Sequence, residues 1–337
     1  MDTTVKISIL LPVYNAAPFL AEAIHSILNQ SFGDFELIIL NDGSEDNSKE
    51  IIFSFSDSRI RYIENETNLG LIKTLNKGVE ICEGKYIIRM DADDICAPGR
   101  IEKQIRFMEK HPDVGLCGTW AYVIDNKGTI TGKIINQTSP SFISVSLLFS
   151  VPLIHPSTCF RASILKQNLY HEVPVAEDYD LWCRLNEQTK IANIPDFLLY
   201  YRWHNTNISR EKQQIQEQNK EAIIRKELLK SGLDPDSEMM RIHRLSFSLY
   251  SFGKETQTRV NPSDLIKSVE WFSKLLSANK QHKRYSQQAL TAFLWGRWIV
   301  LCKAAGQKRK IFFPPFISYS PKVLCLLLNQ ILLLARK

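Results

Sequence analysis

From residue 6 to about 118, short apolar runs alternate with segments whose apolar residues recur at helical spacing, and this alternation constrains the fold more than any other feature of the chain. Parallel strands buried on both faces read as near-continuous apolar stretches, and joining them requires a crossover that is usually a helix. The strand candidates are 6–13, 35–41, 60–64 and 85–90. Between them, Ala16–Gln30 has helical periodicity, Glu45–Ser54 follows an Asp-Gly-Ser turn, and Leu71–Cys82 follows Asn68-Leu69-Gly70. The resulting β-α-β-α-β-α-β order predicts an α/β domain. Turn-flanked β-prone pieces from Trp120 to Ile135 predict a less regular, mixed part of the sheet. Pro156 and Pro174 predict loops around a short helix, Glu177–Gln188 a helix, and 191–204 a last strand. Beyond Ser209 the sequence turns Gln/Glu/Lys-rich and helical, so the expected division is residues 1–209 and 210–337.

Ligands of open α/β sheets bind beyond the carboxyl ends of the strands, and two polar motifs stand at such ends. Asp91-Ala92-Asp93, followed at once by Asp94, comes directly after the run Tyr86–Met90. Adjacent like charges repel, so solvent, counter-cations or a metal must offset the cost. The motif therefore reads either as a divalent-cation site or as a solvated acidic turn. Asn41-Asp42-Gly43-Ser44 places Asp42 at the tip of the strand Phe35–Leu40. There it could accept an N–H from a nucleobase or cap the next helix, with Gly43 permitting close backbone approach by a ligand. Tyr14, two residues past Pro12, could stack on the same base or be a rim aromatic.

Further along, Glu177, Asp178 and Asp180 open a helix. The helix dipole favours acidic residues there, but capping alone does not need three, and one could serve as a general base. Arg202 and His204 share a parity, so in extended backbone they face one side, one able to reach phosphate and the other a metal. A lone histidine is more often structural than a ligand. His155 could line the acceptor side.

These pieces in this order resemble the inverting family 2 glycosyltransferases, which have the GT-A type nucleotide-sugar-binding fold, over roughly residues 6–209. The resemblance is carried by Ser8–Asn15, Phe35–Ser44, Asn68-Leu69-Gly70, Gly84–Asp94, Glu177-Asp178 and Tyr201-Arg202-Trp203-His204. It implies a Rossmann-like mixed sheet with flanking helices, followed here by a mostly helical C-terminal region. Pro12, Tyr14 and Asp42 would then cradle the nucleotide base, Asp91 would lie by the ribose or metal shell, and Asp93 would ligate Mg or Mn. Asp178 would be the base, and Arg202 and His204 would approach the diphosphate or metal. The implied reaction moves a sugar from a nucleotide-diphosphate sugar, UDP-linked by family habit, to a hydroxyl of a saccharide acceptor.

The residue types suit this chemistry on their own account. A departing diphosphate needs a hard cation with oxygen ligands, and an alcohol becomes a good nucleophile when a positioned carboxylate takes its proton. No residue demands a covalent intermediate, so a single inverting displacement is the simpler mechanism. A sugar nucleotidyltransferase would use a similar fold and metal, but it ordinarily needs a glycine-rich basic loop after the first strand, and Pro12–Pro18 is neither. A membrane-bound scaffold with a dead cleft is the non-enzymatic alternative, and the intact carboxylates argue against it.

Charge divides the chain. Residues 1–209 hold 19 Lys/Arg against 26 Asp/Glu, whereas residues 210–337 hold 23 against 10, with none of those carboxylates after Glu270. The basic part seeks an anionic partner. Its last apolar run, 323–335, falls short of the ~20 residues that span a bilayer. Interrupted by Asn329-Gln330, flanked by Lys322, Arg336 and Lys337, and preceded by Lys308-Arg309-Lys310, it reads as an interfacial helix on anionic lipid, or else as a core helix or dimer contact. Each basic group near such a surface adds about 1 kcal/mol. No nucleic-acid-binding signature accompanies the charge, and a lipid-linked saccharide acceptor would unite the two halves. Seven cysteines without a Cys-x-x-Cys pair fit free thiols in a reducing cytosol. The first residues lack a basic n-region and a small-residue cleavage site. The expected location is peripheral, on the cytoplasmic face of the membrane.

Overall fold

The computed structural model describes residues 7–204, 212–248, 250–251, 254–255, 260–307, 314 and 323–328. The chain forms two compact units, one from residues 1–138 and 153–219, the other from 139–152 and 220–337.

In the first unit the repeating apolar runs become β1 (Ile7–Val13), β2 (Glu36–Asn41), β3 (Ile60–Glu64) and β4 (Tyr86–Arg89), parallel and ordered β3-β2-β1-β4. The crossovers are α1 (Ala17–Leu28), α2 (Ser48–Phe53) and α3 (Leu71–Ile81). All of β1 is buried, as a strand covered on both faces must be, and α1 lays Leu20, Ala23, Ile24 and Ile27 on the core at helical spacing. Each of the leucine and isoleucine side chains contributes roughly 1.5–3 kcal/mol on full burial. These elements lie within three residues of the limits expected from the sequence. Gly84, between α3 and β4, touches the backbone of β1: a Cβ there would stand 2.5 Å from the Ser8 nitrogen.

Past β4 the sheet becomes mixed. The chain continues through β5 (Ile95–Cys96), α4 (Arg100–Lys110), β6 (Val114–Ile124) and β7 (Ile130–Ile134), then β8 (Cys159–Arg161), a short helix (Ala162–Leu165), a helix Glu177–Leu185 and β9 (Lys190–Arg202). β8 runs antiparallel to both β4 and β6, β9 runs parallel to β6, β5 runs antiparallel to β9, and β7 makes a hairpin with β6. The mixed part therefore starts earlier than Trp120, with the two-residue β5 and then the 11-residue β6 from Val114. Because β1 lies between β2 and β4, the winding reverses there, and such a switch point opens a crevice beyond the strand ends.

The second unit is helical, built from Pro140–Ser146, Ser237–Ser248, Pro262–His282, Gln287–Ala304 and the later part of Gln213–Lys230. Asn261 and Asp264 form a capping box with Pro262 at the first turn, which sets the start of Pro262–His282. His243 joins the inserted segment 139–152 to these helices. Its ring stacks on Phe149 at 4.3 Å, its Nε2 meets the Leu148 carbonyl at 2.8 Å, and its Nδ1 accepts from Trp271 at 3.0 Å.

At the far C-terminus, 323–328 is helical, with Val323 and Leu327 buried and Leu324, Cys325 and Leu328 exposed. The other parts of the expected interfacial segment, Lys308-Arg309-Lys310 and 329–337, lie outside the described residues. Among the described residues no helix is long and apolar enough to cross a membrane.

Candidate active site

The crevice at the switch point is lined by the ends of β1, β2 and β4. Asp91, Asp93 and Asp94 follow β4, and one oxygen from each lies within 4.8 Å of the others. Asp94 is 1% exposed; its Oδ1 accepts the Arg202 backbone N–H at 2.8 Å, while its Oδ2 is buried without a hydrogen-bond partner. Burial, then the charges of Asp93 and Asp91, push the Asp94 carboxyl well above the usual carboxylate range. Asp91 is pushed up to about 6 by burial, opposed by Arg89 and reinforced by Asp93 and Asp178. Crowded carboxylates with an unmatched oxygen are what a hard divalent cation would relieve, and an all-carboxylate donor set suits Mg or Mn. The residues present fit such an ion.

The helix Glu177–Leu185 lies within electrostatic reach of this cluster, the charge of Asp178 acting on Asp91. Among Glu177, Asp178 and Asp180, the last is taken by structure, pairing with Arg184 at 2.8 Å and His171 at 3.0 Å. Glu177 is buried 3.9 Å from His155, and burial followed by the charge of Asp178 pushes it up to about 7. Asp178 is the partly exposed member, and its charge is felt by both Asp91 and Glu177. The acidic loop after β4 and the helix Glu177–Leu185 thus share one electrostatic neighbourhood. His155 is buried, its Nε2 2.9 Å from the Tyr170 hydroxyl, and burial with the Arg89 charge holds it well below the ordinary histidine range.

β9 ends against the acidic loop. His204 Nε2 lies 2.9 Å from Asp93 Oδ2, with its ring against Phe19. Arg202 is 1% exposed, and each of its three side-chain nitrogens donates to a protein oxygen: Nε to the Asp93 carbonyl and Nη1 to the Asp125 carbonyl, both at 2.8 Å, and Nη2 to Glu22. The guanidinium expected to reach a diphosphate is here bound within the protein.

At the nucleotide side, Tyr14 is 48% exposed beyond β1, while Pro12 is buried within that strand. Asp42 is 3% exposed, and its carboxylate, expected to accept from a base, accepts instead from Asn65 Nδ2 at 2.8 Å and from the backbone N–H groups of Leu69 at 2.9 Å and Gly70 at 3.0 Å. Gly43, with φ of 69°, is used in the same way: a Cβ there would meet the Thr67 and Asn68 backbone at 2.8 Å. Both residues fasten the loop before α3. The first N–H groups at α1 are also occupied, Ala16 donating to Ser48 and Ala17 to Asp46, so this turn does not offer the open amide cradle of a phosphate loop.

Sequence reasoning missed Arg89. It stands inside the apolar run of β4, 3% exposed, and grips Asp91 with both Nη atoms at 2.5 and 2.6 Å. A cation in an otherwise apolar strand two residues before a carboxylate was the available signal. Arg100, which donates to the Arg89 and Pro156 carbonyls at 2.9 and 2.8 Å, holds the same strand end from α4.

Comparison with known proteins follows the same line. Residues 8–173 match the model of the family described as glycosyl transferase family 2. A glycosyltransferase of Methanocaldococcus jannaschii is 38% identical over 218 residues, 62% of this chain and 75% of that protein. One from Haemophilus influenzae is 34% identical over 222 residues, 62% of this chain and 69% of that protein. The O-antigen biosynthesis glycosyltransferase WbnJ of Escherichia coli is 35% identical over 206 residues, 59% of this chain and 80% of that protein. Among solved structures, TarS 1–349 of S. aureus, also solved with UDP-GlcNAc, superposes with a TM-score of 0.54 at 18% identity, over 91% of this chain and 90% of that one. At that identity the likeness establishes the GT-A type fold.

Proposed function

The chain belongs to glycosyl transferase family 2, and we propose that within it this protein is an inverting, metal-dependent hexosyltransferase that moves a sugar from a UDP-linked donor to a hydroxyl of a lipid-linked saccharide in surface polysaccharide synthesis. The observation that carries the reading is the Asp91/Asp93/Asp94 cluster beyond the end of β4, close enough to Asp178 for that carboxylate's charge to act on Asp91. The UDP-GlcNAc complex of TarS supports the donor class, and the O-antigen role of the E. coli relative supports the acceptor class.

In this reading Tyr14 stacks on the base beside Pro12, and Asp42 keeps the loop 65–70 in place as a pocket wall. A bound Mn or Mg ion supplies positive charge to the departing diphosphate. Asp93 would anchor that ion, and Asp91, Asp94 and His204 are the other residues that would hold it. Asp178 accepts the proton of the attacking hydroxyl. The new carbon–oxygen bond forms at the anomeric carbon as the bond to the diphosphate breaks on the opposite side, which inverts the centre and releases the nucleoside diphosphate. Glu177, next to Asp178 in the chain, is buried beside His155.

Thermal unfolding in the presence of UDP-sugars tests this directly. Binding of donor at about 100 times its Kd should stabilise the fold by about 2.7 kcal/mol with Mn or Mg present, and by less in EDTA, where the nucleotide part alone is held. A Tm that moves equally with EDTA would overturn the metal-dependent part. The basic C-terminal region and the exposed Leu324 and Leu328 support a peripheral place on the cytoplasmic face of the membrane. Co-sedimentation with anionic vesicles should then be strong at low salt and fade as salt rises; no difference between anionic and neutral vesicles would remove that element.

A further inference from the structure

The residue that does most to shape the acidic loop lies outside it. Arg202 reaches the loop twice, its Nε donating to the Asp93 carbonyl and its backbone N–H to Asp94 Oδ1, both at 2.8 Å. The first contact fixes the main chain at Asp93. The second holds one Asp94 oxygen and leaves the other, Oδ2, as the unmatched atom. The remaining nitrogens anchor Arg202 to separate elements, Nη1 to the Asp125 carbonyl after β6 and Nη2 to Glu22 on α1. Phe19, one turn earlier on α1, lies under the guanidinium at 4.5 Å and also packs on the His204 ring at 5.4 Å. A planar, permanently charged fork can hold three directions at once; a lysine ammonium cannot reproduce that geometry.

From this we infer that Arg202 is a positioning residue that sets the metal-facing geometry of Asp93 and Asp94, and that α1, through Glu22 and Phe19, is part of the same support. The inference rests on the reading of Asp93 as a metal anchor. It assigns α1 a part in metal affinity although Phe19 and Glu22 lie in neither acidic motif. Outer partners of metal ligands commonly matter at the level of 10–100-fold in metal affinity.

The test measures Mn binding to the full chain by the electron paramagnetic resonance signal of free Mn, with UDP affinity measured separately in EDTA. Arg202→Lys should weaken Mn binding about 10-fold or more, and Glu22→Gln should weaken it in the same direction by less. Metal-free UDP affinity should hold in both, and transfer by either variant should recover at raised Mn. Glu22 is half exposed, so Glu22→Gln decides the question even where Arg202→Lys fails to fold. Unchanged Mn affinity in folded variants, or a loss confined to metal-free UDP binding, would overturn the inference, the latter making Arg202 a diphosphate contact. Asp93→Ala separates the two levels: Mn binding that survives this change defeats the reading of the metal site, whereas Mn binding lost in Asp93→Ala but kept in Glu22→Gln defeats only the brace.

Discussion

Asp178→Asn is expected to lower the rate of sugar transfer by about 10²–10⁴-fold, the range of a lost general base, while nucleotide-sugar binding stays intact. The substitution keeps the shape of the side chain and removes its ability to take a proton. Asp178 is the partly exposed carboxylate of its helix, since Asp180 is tied to Arg184 and His171 and Glu177 is buried against His155. None of the groups placed around the donor changes. The deficit should therefore fall on kcat, with KM for the donor little altered. Donor affinity that declines in step with the rate would show instead that Asp178 helps to hold the nucleotide sugar.

The second large effect belongs to Asp93→Ala. The metal-dependent stabilisation by donor, about 2.7 kcal/mol at about 100 times Kd, should vanish, and transfer should fall below detection. The metal-free protein should not become less stable through loss of this charge. Asp93 is one of the charges that push Asp94 and Asp91 upward, so its removal relieves repulsion within the cluster, against the loss of its contact with His204. A variant that keeps the metal-dependent Tm shift would place the cation elsewhere. A loss with metal and no loss without it distinguishes a ligand from a residue that only supports the fold.

The first half of the sheet was legible because three buried parallel strands, with the half-exposed β3 at their edge, leave apolar runs, and the helices between them leave a helical period. Beyond β4 the signal fades for a physical reason. β5 has two residues and β8 has three, too short to show any period, and both are held by neighbours distant in sequence. The site motifs were visible as residue types at strand ends, but their partners were not. Parity placed Arg202 and His204 on one side, and both do meet Asp93, one at its carbonyl and the other at its carboxylate. That the arginine would be sealed by Glu22, Phe19 and the Asp125 carbonyl depends on contacts across 77 to 183 positions of chain. Asp42 shows the same limit: a strand-tip aspartate followed by glycine could face a ligand or a loop, and the loop 65–70 decides it.

The segment 139–152 leaves the first unit in mid-chain, joins the helices of the second, and returns. Its Phe142, Leu147, Leu148 and Phe149 are buried, and Phe149 packs on both His243 and Phe293. A fragment ending at residue 219 would retain that greasy stretch and lose its helical cover, so the two halves cannot be parted by one cut. Grafting a foreign C-terminal half onto this protein would require rewriting a passage in the middle of the other, which ties the inheritance of the two halves together.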